Sequence, residues 1–154
     1  MTYFNLCQDT RIPNGVLLTD INKIHGYFEY KNCNASELDG FFVSMVNPSP
    51  VNFYPDILDR QIFMVKDSIK DVIDLFIPDM DYKHCCLIDD PNNSFVQYYI
   101  PMLDITDEEV GIESNLPIFR VADNNKLVIV ASLDFVEAVL RRQPVGCRIN
   151  LLQS

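Results

Sequence analysis

Apolar residues follow a strand–helix–strand pattern that occurs twice along the chain. In the first copy, the short apolar run 62–65 predicts a strand. Four apolar residues then recur at the spacing of one helix face: Ile69, Val72, Ile73 and Phe76. We expect Asp67 or Ser68 to cap this helix, and Pro78 to stop it because proline lacks a backbone N–H. The run 82–88 predicts the strand that follows.

The second copy has the same order. The run 127–130 predicts a strand, Ser132 is the predicted N-cap, and the helix extends to about Arg142. Its apolar face consists of Phe135, Val136, Val139 and Leu140. Residues 147–152 supply the strand after it. Because two copies are too few for a solenoid, we interpret them as two helices packed against a shared sheet, with Phe76 and Leu140 buried where they meet it.

Weaker apolar runs predict further strands, at 24–30, 41–46, 95–103 and 118–121. The turn-rich segment 89–93 favours a hairpin between 82–88 and 95–103, and a second hairpin is expected between 118–121 and 127–131. Residues 106–114 are predicted as a loop or a short exposed helix. The expected fold class is α+β, with a mostly antiparallel sheet covered on one face by the two amphipathic helices, and residues 1–154 form a single domain.

The composition is that of a globular protein: 48% of the 154 residues are hydrophobic and 22% are charged. No apolar stretch approaches the roughly 20 residues that span a bilayer. Residues 1–9 lack the basic and apolar regions of a signal peptide, so the sequence predicts a cytoplasmic protein with no membrane contact. The odd number of cysteines and their irregular spacing are atypical of a disulfide framework and favour small buried thiols: Cys7, Cys33, Cys85, Cys86 and Cys147.

Negative charge is concentrated in the middle of the chain. Residues 67–113 contain twelve acids and only two lysines, so this segment carries the net charge of −10 that the whole chain has. Such a field repels a phosphate backbone, which argues against nucleic-acid binding, and it attracts a basic protein or cation. The plainer interpretation is a solvated face that keeps the protein soluble.

The cluster His84-Cys85-Cys86 is the most suggestive arrangement for chemistry. On a strand, however, neighbouring side chains point to opposite faces, so His84 and Cys86 share a side that Cys85 does not. A metal site would need two further ligands, and no matching Cys or His pair is present. Buried thiols on a strand explain these residues equally well, so we predict neither a metal site nor a cofactor.

Other motifs do not nominate a reaction. Residues 104–109 superficially resemble a calcium loop but lack its alternating acids and central glycine. The five glycines are not grouped, so no phosphate loop, dinucleotide fingerprint or nucleophile elbow is present. With no complete set of nucleophile, base and orienting group, we expect a non-enzymatic protein that works by binding another protein.

The acids provide a hypothetical contact set for that partner. Asp89 and Asp90 lie in the predicted hairpin turn, whereas four acids follow the second strand: Asp104, Asp107, Glu108 and Glu109. A turn and the exit of its second strand lie at opposite ends of a sheet, so two separate clusters are expected. The later cluster holds more charge and few apolar anchors, which makes it the main predicted contact and Asp89 and Asp90 the lesser ones.

A succession of short motifs suggests a family. These motifs are Pro55-Asp56-Ile57-Leu58, Phe63-Met64-Val65, Tyr98-Tyr99, Asp104 with Asp107, Ile118-Phe119-Arg120, and the Ser132-capped unit ending at Val145-Gly146. In this order they resemble the immunity protein 11 family of bacterial polymorphic toxin systems. The resemblance covers residues 55–152, with a weaker echo at Tyr3-Phe4.

The resemblance implies an α+β fold and neutralisation of a cognate toxin by direct binding, with no catalytic residues to carry over. A basic toxin would suit the acidic segment, whereas a toxin without a basic surface would leave that segment without a role. Two alternatives stay open on the sequence: an interaction or regulatory module unconnected with toxins, and a hydrolase that uses paired carboxylates.

Overall fold

The fold was analysed in a computed structural model, which describes residues 2–19, 40–124 and 126–152. Over these ranges the strands are β1 (Tyr3–Gln8), β2 (Phe41–Met45), β3 (Ile57–Leu58), β4 (Met64–Val65), β5 (Tyr82–Asp89), β6 (Ser94–Pro101), β7 (Ile118–Asp123), β8 (Lys126–Ser132) and β9 (Cys147–Leu151). The helices are α1 (Asp67–Phe76), α2 (Glu108–Glu113) and α3 (Leu133–Arg141). The α+β class is therefore confirmed. None of the described helices is long and apolar enough to span a membrane.

The strands form two sheets, with the orders β7-β8-β1-β9 and β2-β5-β6-β4-β3. All pairs of neighbouring strands are antiparallel except β2 and β5, which run parallel. Both predicted hairpins are confirmed as β5–β6 and β7–β8. The predicted strand at 41–46 is present as β2, and the one predicted at 24–30 lies outside the described residues.

Helix α1 buries the face that its apolar spacing predicts, through Ile69, Val72 and Ile73. The predicted cap is wrong, because Lys66 is the N-cap residue and no side chain caps the helix. Asp67 already lies in the first turn, where a carboxylate suits the helix dipole, and its side chain is hydrogen-bonded to Tyr99 instead.

Helix α3 begins as predicted, with the Ser132 hydroxyl accepting a hydrogen bond from the backbone N–H of Phe135 at 3.3 Å. Phe135, Val136 and Val139 are buried. The prediction for Leu140 is wrong, since this residue is 54% exposed. Each residue turns a helix by about 100°, so Leu140 lies past the edge of a contact stripe centred on its three buried neighbours.

Helices α1 and α3 share a core but pack against different sheets. The expectation of one sheet shared by both helices is therefore wrong. Helix α1 packs against β4 and β6 of the second sheet, whereas α3 packs against β1 and β8 of the first. The helices also contact each other, and the rings of the half-buried Phe76 and the buried Phe135 lie 5.3 Å apart. The strands form two sheets because β1, from the start of the chain, pairs between β8 and β9. The second strand–helix–strand unit therefore belongs to a sheet separate from that of the first unit.

A second core covers the opposite face of the β2–β6 sheet. Cys85, Leu87 and Tyr98 pack there against Val16, which follows β1, and against Leu58 of β3. The hydroxyl of Tyr98 donates a hydrogen bond to the Pro55 carbonyl at 2.6 Å, so the buried phenol is satisfied.

These positions predict the effect of two truncations in one helix. Phe135→Ala should lower the free energy of unfolding by about 3–5 kcal/mol, because it leaves a cavity between the helices. Leu140→Ala, the control at an exposed position of the same helix, should change it by no more than about 0.5 kcal/mol. Chemical denaturation followed by circular dichroism measures both values. Equal losses for the two variants would contradict the placement of α3.

Candidate interaction face

Strand β2 exposes large apolar side chains at every second position. Phe41 is 57% exposed, Val43 51% and Met45 39%. Because strand side chains alternate, these three share one face, while Ser44 between them is buried against the core on the other face. The strand is therefore apolar on the side that the described residues leave open.

The pairing register extends this open face across β5 and β6. Val43 lies opposite Cys86, and Met45 lies opposite Ile88, which in turn pairs with Phe95. Phe95 is 72% exposed. We call the six residues of this surface the apolar band: Phe41, Val43, Met45, Cys86, Ile88 and Phe95. Contiguous exposed apolar surface of this kind is uncommon on monomeric proteins and marks interaction sites.

A polar cluster borders the apolar band on the side of α1. The Lys70 ammonium lies 4.7 Å from the ring centre of Tyr82 and 5.4 Å from that of Tyr99, and 2.8 Å from a carboxylate oxygen of Asp74. The Tyr82 hydroxyl donates to the other oxygen of Asp74 at 2.7 Å. Burial raises the pKa of Asp74, but the hydrogen bonds from Lys70 and Tyr82 outweigh it and hold that pKa below its usual value.

The cluster meets the apolar band at His84. This residue pairs with Phe41 on one side and Tyr99 on the other, and its ring lies edge-on to that of Tyr99 at 5.0 Å. Its Nδ1 lies 3.2 Å from the side-chain nitrogen of Gln97. Asp67 and Asp71 lie on α1 next to Tyr99 and are exposed, so acids frame this end of the apolar band.

Asp90 frames the other end. It is exposed in the β5–β6 turn and lines a shallow groove with Cys86, Ile88 and Phe95 of the apolar band. Asn93 completes the tight turn with a φ of 49°, a left-handed conformation that asparagine tolerates. Of the two acids predicted in this turn, Asp90 is thus the one available to a partner.

Asp89 is not available, which corrects its place in the predicted contact set. Only 1% of the residue is exposed, because it points to the covered face of the sheet. Its carboxylate accepts hydrogen bonds from the Tyr54 hydroxyl at 2.6 Å and from the Asn92 amide at 3.0 Å. These bonds, the one from Tyr54 foremost, lower the pKa of Asp89, while burial and the bond to Asp89 raise the pKa of Tyr54.

The four later acids lie apart from the apolar band, on the first sheet. Asp104, Asp107 and Glu109 are exposed, and Glu108 is half-buried. Their segment is anchored there by the Ile105–Arg120 bridge and by α2, whose Gly111 lies so close to the Phe119 ring that a Cβ atom would clash with it. The acids consequently occupy two separate regions, as the hairpin geometry predicted. Of the two alternatives predicted for 106–114, the short helix is present as α2, and its contact with the ring of Phe119 holds it against a distant strand.

The thiols and the histidine fall on alternate faces, as predicted. Cys85 is fully buried, and burial, with Cys86 nearby, raises the pKa of its thiol to about 12, which keeps it protonated. His84 and Cys86 lie on the open face. Within the described residues, no three His, Cys, Asp or Glu side chains are grouped so as to hold a metal ion.

Sequence reasoning missed the apolar band itself. The signal was available, since β2 reads Phe-Phe-Val-Ser-Met and is apolar on both faces, whereas a strand with one solvated face alternates. Comparisons with known protein families, with curated proteins and with solved structures found no match to this chain.

The Asp89 network predicts a loss of stability in acid. The folded pKa of Asp89 lies below the unfolded value of about 3.9, so its stabilising contribution is present above that value and is lost as pH falls through the folded pKa. Asp89→Asn should therefore be less stable than the parent at neutral pH, and the difference should shrink as the pH falls below the unfolded pKa. Urea denaturation midpoints measure this. Asp90→Asn makes the same change at the exposed neighbour and should leave the midpoint unaltered; a difference that stays constant with pH would contradict the assignment.

Proposed function

We propose that this chain is a non-catalytic protein-binding domain whose interface is centred on the apolar band. The observation that carries the proposal is the exposure of Phe41, Val43, Met45 and Phe95 on one face of a sheet whose opposite face is covered. Contact between these apolar side chains and water is unfavourable. Burial against a partner contributes about 25 cal/mol to the free energy of binding for each Å² of apolar surface removed from water.

The composition of this face suits a protein partner. Interface energy is concentrated in a few central anchors, and aromatic side chains are enriched among them. Phe41 and Phe95 belong to opposite edges of the apolar band, with Val43, Met45 and Ile88 in between. A rigid sheet presents them without the entropic cost of ordering a loop.

Charge favours a basic surface on the partner. Asp67 and Asp71 at one end and Asp90 at the other surround the apolar band with carboxylates, in a protein whose net charge is −10. Complementary charge accelerates encounter and selects among partners. The same field disfavours a nucleic-acid ligand.

The partner we propose is a cognate toxin, met in the cytoplasm. This step is supported by the resemblance of residues 55–152 to the immunity protein 11 family, and the acidic frame would suit a toxin with a basic surface. An interaction module unconnected with toxins would use the same face. The identity of the neighbouring gene distinguishes the two, since an immunity protein is encoded beside its toxin.

Binding to the protein encoded beside this chain tests the proposed face. Phe95→Ser should weaken binding by about 2 kcal/mol or more, as loss of an aromatic anchor residue does, because Phe95 is the most exposed side chain of the apolar band. Val43→Ser should also weaken it, whereas Val110→Ser should not. These two valines are matched, being 51% and 49% exposed, and Val110 lies on α2 outside the apolar band. Isothermal titration calorimetry gives the affinities, and an equal effect at both valines would reject the apolar band as the interface.

The later acids are tested by a charge-neutralising variant. Replacing Asp107, Glu108 and Glu109 with Asn, Gln and Gln should slow association several-fold at low salt and change the dissociation rate little. Exposed acids attract a basic partner over a long range, and salt screens this attraction. Surface plasmon resonance at two salt concentrations measures both rates. An association rate equal to that of the parent protein at low salt would show that these acids have no part in binding.

A further inference from the structure

The first sheet opens between its two inner strands. Pairing between β1 and β8 ends at Leu6 and Ile129, although β1 stays paired with β9 and β8 with β7 beyond that point. The chain after β3 lies at the opening, where the backbone N–H of Asp59 donates to the side-chain oxygen of the buried Gln8 at 3.3 Å.

A cleft occupies this opening. Its volume of about 410 Å³ is within the range of small-molecule sites. Eight of its lining residues are polar: Asn5, Cys7, Gln8, Thr10, Asp59, Arg60, Lys126 and Asn150. This lining contrasts with the apolar band, which belongs to the other sheet.

The cleft brings both signs of charge together. Arg60 and Lys126 stand in its wall beside the carboxylate of Asp59, within a protein that is otherwise strongly acidic. Burial raises the pKa of Asp59. A hydrogen bond to the backbone of Gln8 opposes that rise, and so do the positive charges of Lys126 and Arg60. The two cations are therefore close enough to act on the carboxylate, yet no ion pair within 4.0 Å joins them to it among the described residues.

The cleft offers both kinds of hydrogen-bonding group. Asp59 is a charged acceptor, and the guanidinium of Arg60 and the ammonium of Lys126 are donors that call for an anion. Asn5 lies in the same wall, but its buried Oδ1 is closed off from solvent and therefore from a ligand.

We propose that this cleft binds a small zwitterion with an ammonium group next to a carboxylate, as in a free α-amino acid. The ammonium group donates to Asp59, and the carboxylate lies against Arg60 and Lys126. A purely anionic ligand meets repulsion from Asp59, and a purely cationic one meets repulsion from the two bases. The site is independent of protein binding at the apolar band.

Titration of the full-length protein with L-alanine, followed by amide chemical shifts, tests the proposal. Saturable shifts are expected at Cys7, Asp59 and Lys126. Acetate, methylammonium and inorganic phosphate each present one kind of charge and should give no saturable shifts there. Equal responses to L-alanine and to any single-charge probe, or no saturable response to L-alanine, would overturn the proposal.

Variants locate the binding. Lys126→Gln and Asp59→Asn should each weaken L-alanine binding by about tenfold, as expected for one lost charge-assisted hydrogen bond. Arg142→Gln removes an exposed charge at the end of α3 and should leave the affinity unchanged. Lys126 is exposed, so its variant keeps the fold even if the one at Asp59 does not. Unchanged affinity in Lys126→Gln, or an equal loss in Arg142→Gln, would reject the site.

Discussion

One apolar core holds the two sheets together, since strand pairing does not join them within the described residues. Leu6 and Ile129 of the first sheet meet Ile57 and Val65 of the second around Phe135 of α3, with α1 packed alongside. Each large apolar side chain that is fully buried contributes about 1.5–3 kcal/mol. The position of the two sheets relative to each other depends on this packing, and so do the positions of the apolar band and the cleft.

The same packing explains why one surface is left open. Helix α1 sits over β4 and β6, at one side of the second sheet, because its apolar face must reach the core that it shares with α3. Helix α1 reaches only the start of β5, at Tyr82, whereas β2 lies at the far edge of that sheet. The apolar band is the part of the sheet that the helix does not cover, and the described residues leave it exposed.

Acidic residues of this protein fall into three groups. Some form hydrogen bonds or ion pairs within the fold, one borders the apolar band, and others are exposed away from it. Asp89 is buried and ties the β5–β6 turn to Tyr54, and Asp74 is bound to Lys70 and Tyr82. Asp90 borders the apolar band, whereas Asp107 and Glu109 are exposed at the start of α2. Adjacent residues such as Asp89 and Asp90 differ because neighbouring strand positions face opposite sides. The net charge of the chain therefore does not show where an individual acid lies in the fold.

Local patterns in the sequence determined helices α1 and α3, the Ser132 cap, the two hairpins and the alternation that buries Cys85. Each of these features depends on residues that are close together in the chain. Only the tertiary structure decided the division into two sheets, since β1 comes from the far end of the sequence to pair between β8 and β9. It likewise decided that Phe41 and Val43 are exposed and that Asp89 is buried. Hydrophobicity states what a side chain gains from burial, but whether anything covers it depends on distant segments of the chain.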